Sequence, residues 1–70
     1  MEGFKVEVRA DHNPPHFHVT GVDADLMVDL RTFEILRGSA PRRLAEQAIS
    51  WAKSHQEELM AKWSELNARE

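Results

Sequence analysis

Apolar and polar side chains alternate along the first part of the chain, with the period of two that is typical of half-buried β-strands. In one such segment Phe17 and Val19 fall on one side of the strand, while two histidines and a threonine fall on the other. Segments of this kind, or short apolar runs, predict strands at 4–9, 16–20, 26–30 and 33–36. The pattern therefore predicts an α+β fold that begins with a three- or four-stranded antiparallel meander within residues 4–37.

From Pro41 the period changes to that of an amphipathic helix, and no glycine interrupts the pattern before it ends. We predict one long C-terminal helix over residues 41–66, packed on one face of the sheet. Such a helix would be about 39 Å long, whereas a five-residue strand spans only about 17 Å. The helix is therefore expected to overhang the sheet, and its apolar arc of about 180° is wider than one sheet face requires.

The overhanging end is expected to expose an apolar surface, which monomeric proteins seldom do. The residues at this end are Leu59, Met60, Trp63 and Leu66. We predict that they form an interface, either with a second copy of the chain in a homodimer or with a cognate small partner protein. The alternative is that the helix bends and wraps around the edge of the sheet.

Composition and charge narrow the possible functions. The 70 residues form one domain, residues 1–70, and a chain of this size buries only roughly 60% of its unfolded surface. The absence of cysteine excludes disulfides, thiolate metal sites and cysteine nucleophiles. A net charge of −3 argues against general nucleic-acid binding, although a local basic cluster can still bind one phosphate. No signal-peptide or membrane-span pattern is found, so we expect a cytoplasmic protein with no membrane partner.

Three histidines lie close together in the sequence at His12, His16 and His18. On a strand, the second and third project from the same face about 7 Å apart, which suits two ligands of one divalent metal such as zinc. His12, or Asp25 or Asp29 from the neighbouring strand, could complete a site with an open coordination position. The same imidazoles could instead act as acid and base without a metal, or make ordinary cross-strand contacts with the aspartates.

Two arginines, Arg42 and Arg43, fall in the first turn of the predicted helix. Together with the free N–H groups of that turn they could hold a phosphate or carboxylate. They could equally be solubilising charges that pair with Glu46 one turn later. His55 falls inside the apolar arc, where we expect a histidine with one satisfied hydrogen bond and no ligand role. No nucleophile triad, phosphate-binding glycine loop or dinucleotide fingerprint is present.

The block Asp-His-Asn-Pro-Pro-His-Phe-His-Val at residues 11–19 resembles a bacterial family known as domain of unknown function 4160. The similarity continues through 30–36, Gly38 with 41–43, 51–55 and 62–63. The resemblance implies a small protein that belongs to a type II toxin–antitoxin pair, encoded beside another small protein. It permits an activity directed at RNA, but it supplies no catalytic residues.

Three functional hypotheses follow from these observations. The first is a protein-interaction module, one component of such a pair, that associates through its C-terminal helix and requires no cofactor. The alternative is a ribonuclease-like toxin in which His12, His16 or His18 act as acid and base and Arg42 and Arg43 hold a phosphate. A histidine-based metal-binding protein is a third possibility. The enzyme hypothesis requires the helix N-terminus to lie near the histidines, which are expected to face away from the helix.

Overall fold

The computed structural model describes residues 3–10 and 14–67, and it consists of a four-stranded antiparallel sheet followed by two helices. The elements are β1 Lys5–Glu7, β2 His16–Gly21, β3 Ala24–Asp29, β4 Ile35–Ser39, α1 Arg42–Ser54 and α2 Gln56–Leu66. The strands lie in the sheet in sequence order, β1-β2-β3-β4. The predicted α+β meander is therefore confirmed.

One face of the sheet forms the core, as the alternation predicts. Phe17 and Val19 on β2 are fully buried, and helix α1 places the buried alanines Ala48 and Ala52 against them. The buried residues contributed by and just after β3 are Leu26, Val28 and Leu30.

The connection from β3 to β4 is longer than the sequence suggests, and β4 therefore begins at Ile35 rather than at Phe33. The Asp29 carboxylate Oδ1 accepts hydrogen bonds from the backbone N–H groups of Arg31 and Thr32, at 2.6 and 3.0 Å. This side-chain bond stabilises a turn, and the turn places Phe33 at a φ of 63°. Asp29 is therefore occupied by the turn, and it is not a free cross-strand ligand.

A β-bulge lies in β4. Arg37 pairs with Met27 and Ile35 pairs with Val28, so Leu36 is an additional residue between the two pairs. The extra residue reverses which face the following side chains occupy. Gly38 follows at a φ of 92°, where an added Cβ would lie 1.9 Å from the Asp25 carbonyl oxygen.

The prediction of a single helix over residues 41–66 is wrong, because the helix breaks at His55. The His55 backbone N–H donates to the Ala52 carbonyl at 3.0 Å, and its ring Nδ1 donates to the Trp51 carbonyl at 2.8 Å. The side chain thus replaces the backbone N–H as the donor to Trp51, at a φ of −121° that a regular helix does not allow. The half-buried imidazole also stacks on Trp51, with ring centroids 4.2 Å apart. The expected hydrogen bond of His55 is present, and it ends the helix.

The break lets α2 close over the end of the sheet where β3 ends and β2 begins. Gln56 Nε2 donates to the Leu30 carbonyl at 2.8 Å, and the Trp63 side chain is 6% exposed within the core cluster. Leu59 and Met60 are half-buried against the same cluster, and Leu66 is 38% exposed. The predicted overhang is therefore wrong, and the interface predicted at these residues loses the observation on which it depended.

No helix among the described residues is long and apolar enough to cross a membrane.

Candidate functional site on the polar face of the sheet

The polar face of the sheet carries a row of four side chains, one from each strand. His18 on β2 lies opposite Glu7 on β1 and opposite Met27 on β3, and Met27 in turn lies opposite Arg37 on β4. Side chains that are directly opposite across neighbouring strands lie about 5 Å apart at Cβ and share a face. His18 is therefore near the centre of this face, with a charged residue towards each edge of the sheet.

A pocket of about 290 Å³ opens beside His18 on this face. Its lining residues are Arg9, His18, Asp25, Met27, Arg37 and Gly38. The pocket thus combines two guanidinium groups, an imidazole, a carboxylate and an apolar thioether. We refer to it below as the His18 pocket.

Arg9 is held at the rim of the His18 pocket by Glu7. The Arg9 guanidinium lies 3.1 Å from the Glu7 carboxylate, and the side chains are 48% and 41% exposed. This hydrogen bond and the charge of Arg9 lower the pKa of Glu7 below its ordinary value of 4.5, with smaller contributions from the charges of Lys5 and His18. Glu7 is therefore ionised at neutral pH, and it orients Arg9 while neutralising part of its charge.

His16 is a buried structural residue, although it shares a strand face with His18. It is 3% exposed, and its ring Nδ1 lies 2.7 Å from the Pro14 carbonyl, which can only accept a hydrogen bond, so Nδ1 carries a proton. The His16 ring packs edge-on against His18, with ring centroids 5.1 Å apart, and it packs at a tilt of 54° against Trp63 of α2, with centroids 5.2 Å apart. The expectation that the histidines face away from the helical layer is therefore wrong for His16.

The predicted metal site is not assembled within the described part of the chain. No group of three histidine, aspartate or glutamate side chains lies close enough together there to hold a metal ion. His16 is buried against Trp63, and Asp29 is bonded to the turn that follows it. His12 lies outside the described residues.

Arg42 and Arg43 are not part of the His18 pocket. They begin α1, the helix that covers the opposite, core face of the sheet. Arg42 is 92% exposed at its side chain, and its Nε lies 3.4 Å from Glu46, which is the pairing that the alternative interpretation expected. Arg43 lies beside Glu46 and Trp51 in a shallow depression on the helix surface.

The sequence reasoning missed the two arginines that do approach His18. The position of Arg9 on the polar face could have been predicted, since it follows the β1 alternation on the same side as Glu7. The position of Arg37 could not have been predicted from the alternation, because the bulge at Leu36 changes the face on which Arg37 lies. A strand that contains a bulge breaks the period on which such assignments depend.

A second feature of the molecule is the exposed edge strand β4. All five of its residues are exposed, and they include two large apolar side chains, Ile35 at 45% and Leu36 at 37%. Within the part of the chain that is described, no strand lies on the outer side of β4. Its outward backbone N–H and C=O groups are available for pairing.

Comparison with known proteins identifies one relationship. A family model described as domain of unknown function (DUF4160) matches residues 3–64. No curated protein and no solved structure matches the chain.

Proposed function

This chain belongs to the DUF4160 family of domains of unknown function, and we propose that it is a bacterial protein-interaction module, one component of a type II toxin–antitoxin-like pair in the cytoplasm. The family resemblance supports the pairing with a second small protein. The exposed edge strand β4 supports the interaction itself, and it is the observation that carries the proposal.

An exposed strand at a sheet edge is a ready template for a strand from another protein. β4 is five residues long, whereas β1 at the opposite edge has three. Natural proteins usually shorten, charge or bulge such edges to prevent pairing. β4 contains a bulge and Arg37, yet it also presents Ile35 and Leu36 to solvent. An added strand gains main-chain hydrogen bonds from the edge and side-chain contacts with these two residues.

The charge on β4 favours a different protein over a second copy as the partner. If two β4 strands paired antiparallel about Arg37, their middle residue, the two guanidinium groups would lie opposite each other, which is destabilising. We therefore expect an extended apolar segment of the cognate partner, with an acidic residue opposite Arg37. The contact is proposed at β4 instead of α2, because Trp63 of α2 is buried in its own chain.

Co-expression with the protein encoded beside this chain tests the proposal. We expect the two to co-purify as a stoichiometric complex, because an added strand completes the open edge. Leu36→Lys should abolish co-purification, since a charge at the centre of an edge strand opposes pairing. Val22→Lys, at a turn residue that is 83% exposed, is the matched control and should leave the complex intact.

Two outcomes would contradict the proposal. The first is a clean monomer by light scattering that does not co-purify with its neighbour. The second is a complex that survives Leu36→Lys but is lost on Leu59→Lys, which would return the interface to the C-terminal helix.

A further inference from the structure

The His18 pocket brings together two arginines that come from distant parts of the sequence. Arg9 follows β1 and Arg37 lies in β4, and both line the pocket beside the His18 imidazole. Guanidinium groups match the oxygens of a phosphate with paired hydrogen bonds, which makes arginine the residue of choice for phosphate recognition. This pair lies on the opposite side of the sheet from the two arginines that begin α1.

The charges around the pocket decide what kind of ligand it can take. Arg37 forms no ion pair with any described residue, whereas Arg9 is shared with Glu7. Asp25 adds a second carboxylate to the lining. A bare anion therefore gains from two cations but also meets two carboxylates. A ligand that joins a phosphate to hydroxyl or amino donors satisfies both kinds of group.

The remaining lining suits a compact ligand with an apolar part. The pocket of about 290 Å³ lies near the lower end of the usual size of small-molecule sites, roughly 300–1,000 Å³. Met27 provides an apolar, adaptable contact for a flat ring. His18 rests on the buried His16 ring, which Pro14 and Trp63 hold in place. The imidazole is thus already positioned before a ligand arrives, which lowers the entropic cost of binding.

We propose that the His18 pocket binds a nucleoside monophosphate group, with its phosphate between Arg9 and Arg37 and its hydroxyl or amino donors towards Asp25. Two sources share this chemistry, a free mononucleotide and the phosphorylated 5′ end of an RNA strand. The net charge of −3 disfavours contacts along a longer phosphate backbone. Because a partner strand at β4 would place an acidic residue opposite Arg37, the ligand is expected to bind the chain that carries no partner, and the two proposals are tested separately.

Calorimetric titration of the full chain with AMP, adenosine and inorganic phosphate tests the assignment. We expect saturable binding of AMP, and binding at least about tenfold weaker for adenosine and for inorganic phosphate, since each supplies only half of the contacts. Arg37→Gln should weaken AMP binding about tenfold, the effect of losing a charged hydrogen bond worth about 1.4 kcal/mol. Arg42→Gln removes the same charge from an arginine that is 92% exposed on α1, and it should leave AMP binding unchanged. Circular dichroism of both variants checks that they are folded.

A second titration distinguishes the two sources. A short oligoribonucleotide with a 5′ phosphate should bind more tightly than AMP if the ligand is an RNA end, and no more tightly if it is a free nucleotide. Absence of saturable AMP binding by the folded protein would overturn the proposal. Equal losses in Arg37→Gln and Arg42→Gln would also overturn it, because they would indicate attraction to net charge and not a site.

Discussion

The two faces of the sheet are equally regular in sequence, but they are covered in different ways. The face that carries Phe17 and Val19 lies under α1, whose Ala48 and Ala52 belong to the same buried core. On the opposite face, the His16 ring packs against Trp63 of α2, and a pocket opens beside His18. The difference shows that alternation predicts the face on which a residue lies. The position of the helix break then determines which part of that face α2 covers.

The largest expected effect comes from the covered face. Phe17→Ala removes a fully buried ring and should cost about 3–5 kcal/mol of unfolding free energy, which approaches the whole stability of a small domain. The milder Phe17→Leu should remain folded and show a partial loss in urea unfolding followed by circular dichroism. Val22→Ala, at an 83% exposed position, is the control and should change stability by less than about 0.5 kcal/mol. A loss below about 1 kcal/mol in Phe17→Ala, close to the range of surface substitutions, would mean that α1 does not seal this face.

A somewhat smaller effect is expected where α2 packs over the end of the sheet beside His16. Trp63→Ala should cost about 3 kcal/mol and should increase the solvent exposure of the His16 ring, because the indole packs against it. Urea unfolding measures the first effect, and the NMR shifts and solvent exchange of the His16 ring measure the second. Leu66 also lies on α2 but is 38% exposed, so the control variant Leu66→Ala should cost about 1 kcal/mol or less.

The same pair of variants also tests the interface predicted from the sequence. If Trp63→Ala changed the oligomeric state while leaving the unfolding free energy unchanged, Trp63 would contact another chain and not His16. The proposed difference between the two faces would then be wrong, since Trp63 would not cover the His16 ring within its own chain.

The parts of the fold that depend on neighbours in sequence were predictable, and the parts that depend on a single side-chain bond were not. The inward residues of β2 and β3 followed directly from their alternation, and the sheet is antiparallel as predicted. The helix pattern also predicted the helical region that follows Pro41. It could not reveal the break, because helical periodicity continues through His55 while its imidazole takes over the bond to Trp51.

The candidate site was even less predictable from local sequence patterns. The burial of His16 depends on Trp63, which is far along the chain and reaches it only because the helix turns. The position of Arg37 beside the His18 pocket depends on the bulge at Leu36. Both arrangements arise from tertiary packing, which overrides the local period from which sequence reasoning starts.

The smallest expected effect lies on the open part of the polar face, at the Glu7–Arg9 pair. The pKa of Glu7 is lowered in the folded chain, so the pair stabilises the fold above the unfolded-state pKa and this contribution is lost as the pH falls through the folded value. The relevant window therefore lies below the ordinary value of 4.5. Arg9→Ala should raise the pKa of Glu7 towards that value, as followed by NMR titration of its carboxyl carbon. Lys5→Ala should raise it less, since the charge of Lys5 is a smaller cause than the hydrogen bond and charge of Arg9. A larger shift in Lys5→Ala would mean that Glu7 is not bonded to Arg9 in solution, and Arg9 would then lack the anchor that holds it at the His18 pocket.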